Sequence, residues 1–385
     1  MIARGASMAL IVAMARPAMG EPLRLRADAL ATTSTASPVG LVDLQAGGAV
    51  SDWLRADAIV WLGSADSQAD VLVIAARATA PRGLGEATAG RFVLNVGALR
   101  PLHLDGVDAH AHLPHRLELE AFGGAPVMPG FGPRSWDWLA GGRAGRRLGD
   151  WGSAGVAYLE ERDHGELSTQ ELGLDAGGAL DAKSDASARL AIDLIARGVA
   201  LAQVSAVRRV GAIKLEVYAV HRSPSHLIPA TSLFSVLGDL PSQRAGGRMT
   251  WRAAPRLDLD LDLGARRAAD AIGADLVGRA TLRLDDTGRG ALSLELRRDG
   301  AANTGWTGAR GAARVPIGTL IASTELELAR PDDAARGGWW PWALAAIGWR
   351  GGDWDAAIAI EASASPEYRH RVDGLVRVSR RWEAP

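Results

Sequence analysis

Residues Arg256 to Gly264 read Arg-Leu-Asp-Leu-Asp-Leu-Asp-Leu-Gly. Successive side chains of an extended chain point to opposite sides, so every Leu falls on one face and every Asp on the other. A helix cannot separate the two residue types in this way. The alternation recurs: Ile213, Leu215 and Val217 alternate with Lys214, Glu216 and Tyr218, and Leu292, Leu294 and Leu296 with Ser293, Glu295 and Arg297. The segments are about ten residues long, the length a tilted strand needs to cross a bilayer. A two-sheet sandwich would also alternate, since it buries one face and wets the other, so periodicity alone leaves both open.

Strand-like stretches succeed one another from residue 23 to residue 382, one of them at 90–98, with Pro38, Pro81-Arg82-Gly83 and Arg100-Pro101 as breaks. They predict an all-β fold, a single antiparallel transmembrane β-barrel of about 18 strands with roughly 16 to 22 admissible. Tryptophan favours the barrel over the sandwich. Trp136, Trp138, Trp151, Trp251, Trp306, Trp339, Trp340, Trp342, Trp349, Trp354 and Trp382 fall mostly at predicted strand ends, where amphipathic rings form headgroup girdles. The other reading makes Trp the bulky core residue of a chain with only three Tyr and four Phe.

The N-terminus fits export. Met1 to Ser7 carries Arg4 as its only charge, Met8 to Ala15 is apolar, and Ala18-Met19-Gly20 supplies small residues for cleavage, so residues 1–20 read as a signal peptide and 21–385 as the barrel. The apolar run is too short for a spanning helix, and no other stretch is long enough. The chain has no Cys and hence no disulfides, and a net charge of −1 gives no reason to expect nucleic acid as a partner. No linker or charge block divides the mature chain, which favours one closed sheet over two domains.

Charge parity describes the inside of such a barrel. Lys214, Glu216, Asp258, Asp260, Asp262, Arg279, Arg283, Glu295 and Arg297 all alternate with aliphatic residues, and are expected to line the lumen. Arg279 and Arg283 are placed to meet the aspartates of the preceding strand in a ladder of ions. The segment Arg222 to Gln243 interrupts two good strands with an apolar run that includes Leu233 and Phe234, followed by Asp239. Its length and low charge suit a constriction folded into the barrel mouth, or an external loop packed on its neighbours.

Catalytic readings are weaker. Val107-Asp108-Ala109-His110-Ala111-His112 resembles the His-x-His strand of metal-dependent amidohydrolases, and two His at i and i+2 share a strand face. That fold needs helices between parallel strands, which this chain lacks, so His103, His110, His112 and His115 read as polar lumen or loop residues. Repeated acids such as Asp258 and Asp260 read as a solvated face, and no nucleophile elbow or phosphate loop occurs. No enzyme activity, metal or cofactor is expected.

The stretches Gly90-Arg91-Phe92 through Gly97 to Asp105-Gly106, and Leu117-Glu118-Leu119-Glu120-Ala121-Phe122-Gly123-Gly124, resemble Gram-negative outer-membrane β-barrels, the alginate-export and related porin-like barrels among them. The resemblance covers nearly the whole mature chain in rhythm. It implies an outer-membrane location and places Arg91, Arg100 and Asp105 in the lumen. The chain departs from the pattern at its end, where Glu383-Ala384-Pro385 follow Trp382. The resulting expectation is a channel for diffusion or export of polar solutes, small molecules or a polysaccharide, through a charged lumen in outer-membrane lipid. Homo-oligomers are common on this architecture. The alternatives are a non-conducting structural or assembly barrel and a periplasmic β-sheet binding protein.

Overall fold

A computed structural model describes residues 23–33, 38–63, 69–127, 137–223, 242–268, 271–300, 305–333, 338–364 and 370–384. The first eleven strands are β1 (Leu23–Thr33), β2 (Pro38–Ser51), β3 (Leu54–Gly63), β4 (Ala69–Thr79), β5 (Gly85–Leu94), β6 (Leu102–Leu113), β7 (Leu117–Pro126), β8 (Trp138–Leu148), β9 (Gly152–Asp163), β10 (Glu166–Asp181) and β11 (Ser184–Asp193). The rest are β12 (Gly198–Val210), β13 (Ile213–Arg222), β14 (Ser242–Ala254), β15 (Leu257–Ala268), β16 (Ala271–Arg283), β17 (Ala291–Asp299), β18 (Trp306–Ile317), β19 (Leu320–Pro331), β20 (Trp340–Gly351), β21 (Trp354–Ser363) and β22 (Arg371–Ala384).

Each strand pairs antiparallel with its sequence neighbours, and β22 pairs with β1 through Arg24↔Glu383, Asp28↔Ser379 and Thr32↔Leu375. The sheet therefore closes and leaves no free edge. Among the described residues the count is 22 strands rather than about 18. The strand that the sequence conceals is β2, whose Pro38 reads as a break. Pro38 is its first residue, a position where proline is tolerated because it interrupts no interior ladder bond. The stretch expected at 90–98 also ends early: β5 stops at Leu94 and residues 95–101 leave the wall.

Cross-strand pairing carries one face around the whole barrel. Asp260 stands opposite Arg279, Arg279 opposite Glu295, Glu295 opposite Arg310, and Arg310 opposite Glu327, a row of alternating charge across β15 to β19. The other face is apolar and open: Leu294, Leu326, Ile347 and Ile358 are each more than half exposed. A soluble protein would not leave such a continuous apolar surface uncovered. Trp138, Trp251, Trp349 and Trp354 stand exposed near strand ends on that outer face, whereas Trp342 turns inward and donates its Nε1–H to Glu361 at 2.7 Å. Trp136 lies outside the described residues.

The two rims differ. Connections at the rim carrying both chain ends include the two-residue turns Asp52-Trp53, Ala182-Lys183, Gly211-Ala212, Pro255-Arg256, Gly318-Thr319 and Gly352-Asp353. The longest connections, 127–137, 223–241 and 332–339, all leave the opposite rim.

Candidate functional site: the lumen and its inward loop

The connection β5–β6, Asn95 to Pro101, starts at the long-loop rim and folds into the barrel. A turn is closed by the Leu99 N–H donating to the Val96 carbonyl at 3.0 Å, and Gly97 takes the left-handed conformation at φ +52, which glycine adopts without steric cost. Val96 and Leu99 are buried against Phe92, Leu102, Leu104, Phe122, Leu139 and Leu159, all on the inward side of the wall. An apolar core of this kind inside a polar lumen exists because a segment of chain, and not water, covers that part of the wall.

Arg100 fixes the loop to β10, four strands along the wall from β6. Its Nη2 lies 2.5 Å and its Nε 2.9 Å from Glu171 Oε1 on β10, and its backbone N–H reaches Oε2 at 3.3 Å. The Glu171 side chain is fully buried, so this is a desolvated pair satisfied by three hydrogen bonds. Glycines permit the approach. A Cβ on Gly173 would meet Leu99 Cδ2 at 3.3 Å, and one on Gly155 would meet the Arg143 guanidinium at 2.4 Å. Because β9 offers no side chain at Gly155, Arg143 on β8 lies across it and forms a bidentate pair with Asp175 on β10 at 2.9 and 2.6 Å.

Beside the loop a chamber of about 630 Å³ remains open, lined by Glu120, Arg143, Asp175, Arg189 and Gln203 together with Gly97 and Leu99 of the loop. This size lies in the range of small-molecule sites. Both signs of charge face it.

Of the residues expected in the lumen, the pairing puts Lys214, Glu216, Asp258, Asp260, Asp262, Arg279, Arg283, Glu295 and Arg297 on the same, inward face. Asp262 is a hub: it accepts from the Tyr218 hydroxyl at 2.7 Å, Arg248 at 2.9 Å and Arg244 at 3.1 Å. Arg283 pairs with Asp258, as the ladder requires, but Arg279 turns to Glu295 on the following strand, where Arg297 also binds. Arg100 enters the lumen on the loop.

Arg91 and Asp105 do not face the lumen. Phe92 and Leu104, their neighbours in sequence, point inward, so Arg91 and Asp105 point outward, joined at 2.6 and 2.8 Å, with Arg91 Nη1 donating to the Val71 carbonyl at 2.9 Å. His103 stands on the same outer face, its Nε2 2.8 Å from the Leu72 carbonyl oxygen. Leu233, Phe234 and Asp239, the expected constriction, lie outside the described residues. The expected strand 90–98 takes Val96 and Ala98 into the wall and so conceals the loop that enters the barrel; the signal for it is Gly97 and Pro101, which end the alternation.

No family model matches the sequence, and no curated protein matches it. Solved structures do. The translocation pore of the P pilus usher PapC aligns with a TM-score of 0.57 at 11% identity, over 94% of this chain and 100% of that one. A P pilus tip assembly intermediate of E. coli, PapC-PapD-PapK-PapG, aligns at 0.56 and 11% identity over 94% of this chain and 61% of that chain. OccK2 (OpdF) of Pseudomonas aeruginosa in complex with glucuronate gives 0.42 at 12% identity, over 95% and 98%. The expected resemblance to alginate-export barrels is not shown by these alignments. At these identities what the usher pore shares with this chain is the fold: a large, closed, antiparallel β-barrel.

Proposed function

We propose that the protein is an outer-membrane channel that passes polar solutes through a charged lumen, constricted by residues 95–101. The observation that carries this reading is the pairing of an apolar outer face with a charged inner face around a closed sheet, with one loop drawn inside and fastened by Arg100 to Glu171. A barrel of this strand number is too wide for wall side chains to fill, so narrowing it takes an element folded inward from the wall. Short turns mark the periplasmic rim of such barrels and longer loops the outer one, which puts both chain ends in the periplasm. Selectivity then arises from the field of the wall charges without a chemical step.

The apolar core under the loop favours a second reading, a plugged barrel that serves as a structural or assembly component. Single-channel recording on the detergent-folded protein in planar bilayers separates the two. Discrete ohmic steps that grow on deletion of residues 96–100 support the constricted channel. A barrel that runs with heat-modifiable mobility on gels yet stays silent, with the loop present and with it deleted, refutes it.

A further inference from the structure

Further along β6, towards the rim that carries the chain ends, His110 and His112 share the lumen face with ring centroids 4.5 Å apart and planes tilted by 59°. Carboxylates stand on both flanking strands: Glu86 and Glu120 are directly opposite His110, and Glu118 is opposite His112. Glu118 is taken by Arg147 at 2.8 Å. Glu86 and Glu120 make no side-chain hydrogen bond or ion pair among the described residues, and the nearby Arg143 is committed to Asp175. Asp108 lies two residues before His110 on the same face; it is 7% exposed, and its Oδ1 is buried with no hydrogen-bond partner.

An unpaired buried carboxylate oxygen is costly, and Glu86 and Glu120 add negative charge around it that Arg77 on β4, opposite Thr88 on the same face, offsets in part. A cation held by the neighbouring side chains offsets that charge, and an imidazole it orients can donate to Asp108. The donor set selects its class: two imidazoles with two carboxylates suit Zn²⁺ and its borderline neighbours, whereas Mg²⁺ and Ca²⁺ take oxygen donors. We propose that His110, His112, Glu86 and Glu120 form a divalent transition-metal site on the lumen wall, with Asp108 as the outer carboxylate that orients His110. Directly opposed residues in an antiparallel pair have Cβ atoms about 4.5–5.5 Å apart, so the two glutamates reach an ion held between the imidazoles by side-chain rotation alone. The backbone need not move. Asp108 fits the carboxylate–histidine pattern that fixes a ligating ring and its tautomer.

A competing group lies at the other rim, where Asp137, Asp163 and His164 have donor atoms within 4.8 Å of one another. There the His164 ring is bonded to Asp163 and both are exposed, so nothing is left unpaired for an ion to satisfy.

The test is Zn²⁺ titration by calorimetry of the full, detergent-folded chain after chelator treatment, with heat-modifiable mobility reporting that each variant has folded. One ion per chain is expected, with His110→Gln/His112→Gln weakening affinity at least about 100-fold, Asp108→Asn weakening it about 10-fold or more, and His164→Gln leaving it unchanged. If the double variant fails to fold, Glu120→Gln substitutes for it and is expected to weaken binding by about 10-fold. Equal binding by wild type and either variant, loss of binding on His164→Gln, or no binding below about 1 mM overturns the assignment. The outcome does not depend on whether the barrel conducts.

Discussion

Arg100→Ala should release the inward loop, and the structure sets how much. The substitution removes the donors that reach Glu171 at 2.5 and 2.9 Å while leaving a carboxylate whose side chain is fully buried. Breaking one side of a buried ion pair in this way costs about 3–5 kcal/mol, because the buried carboxylate loses its guanidinium counter-ion and gains no water in exchange. The reverse truncation, Glu171→Ala, should cost less. The Arg100 side chain is 14% exposed where that of Glu171 is not exposed at all, so its guanidinium can turn towards water, and a loss of about 1–2 kcal/mol is expected. Removing both takes away the buried charge together with its counter-ion, so Arg100→Ala/Glu171→Ala should lie well below the sum of the single effects, the signature of direct coupling. Urea unfolding in detergent followed by Trp fluorescence measures the stabilities, and planar-bilayer recording measures the pore. At about 1.4 kcal/mol per tenfold, a local loss of 3 kcal/mol shifts the balance between docked and undocked loop by roughly a hundredfold, so Arg100→Ala should show larger or flickering conductance steps. A single variant indistinguishable from wild type in both assays, or single effects that simply add, would refute the account of the loop as pinned by this pair.

Gly97→Val forces a β-branched side chain into a left-handed backbone and brings its Cβ to 2.4 Å from Asp175 Oδ1; it should undock the loop like Arg100→Ala while leaving gel mobility of the barrel intact. Asp105→Ala removes the carboxylate that neutralises Arg91 on the outer face and should destabilise the barrel by about 1–4 kcal/mol, whereas Arg91→Leu/Asp105→Leu should be near neutral in the same urea titration. In the β16–β17 turn, Asp285 is held down at about 2, first by the Thr287 hydroxyl at 2.6 Å and then by the backbone N–H groups of Gly290 and Arg289. A depressed carboxyl stabilises above its ordinary value and loses that contribution as pH falls from 3.8 to about 2, so amide exchange at Gly290 should accelerate in that window and become pH-independent there, after correction for intrinsic exchange, in Asp285→Asn.

What the sequence could reveal was set by how many environments a wall residue can meet. From β13 to β19 there are two, a charged interior and an apolar exterior, and period-two alternation assigns Asp258, Asp260, Asp262, Arg283 and Glu295 to a common face directly. Nothing local marks β2, because its residues Ala46-Gly47-Gly48-Ala49 carry little side chain to alternate. The partner of Arg100 is equally invisible. Glu171 lies 71 residues downstream, and only closure of β7 to β10 beneath the loop brings the two together.

The misplacement of Arg91 and Asp105 has the same origin as the missed loop. Where β5 to β9 are covered from inside by residues 95–101, the inward face must be apolar, and Phe92, Leu104, Phe122, Leu139 and Leu159 occupy it. Polarity then no longer distinguishes inside from outside. The Gly-Arg-Phe and Leu-Asp-Gly patterns admit two opposite registers, and a one-residue difference in register exchanges the faces of a whole strand. The correct one follows from the loop: with Phe92 and Leu104 required inside to receive Val96 and Leu99, Arg91 and Asp105 are driven outside, and they survive there because each neutralises the other at 2.6 Å. The outward ion pair is thus a consequence of the inward plug, and any variant that removes the plug removes the reason for this register as well.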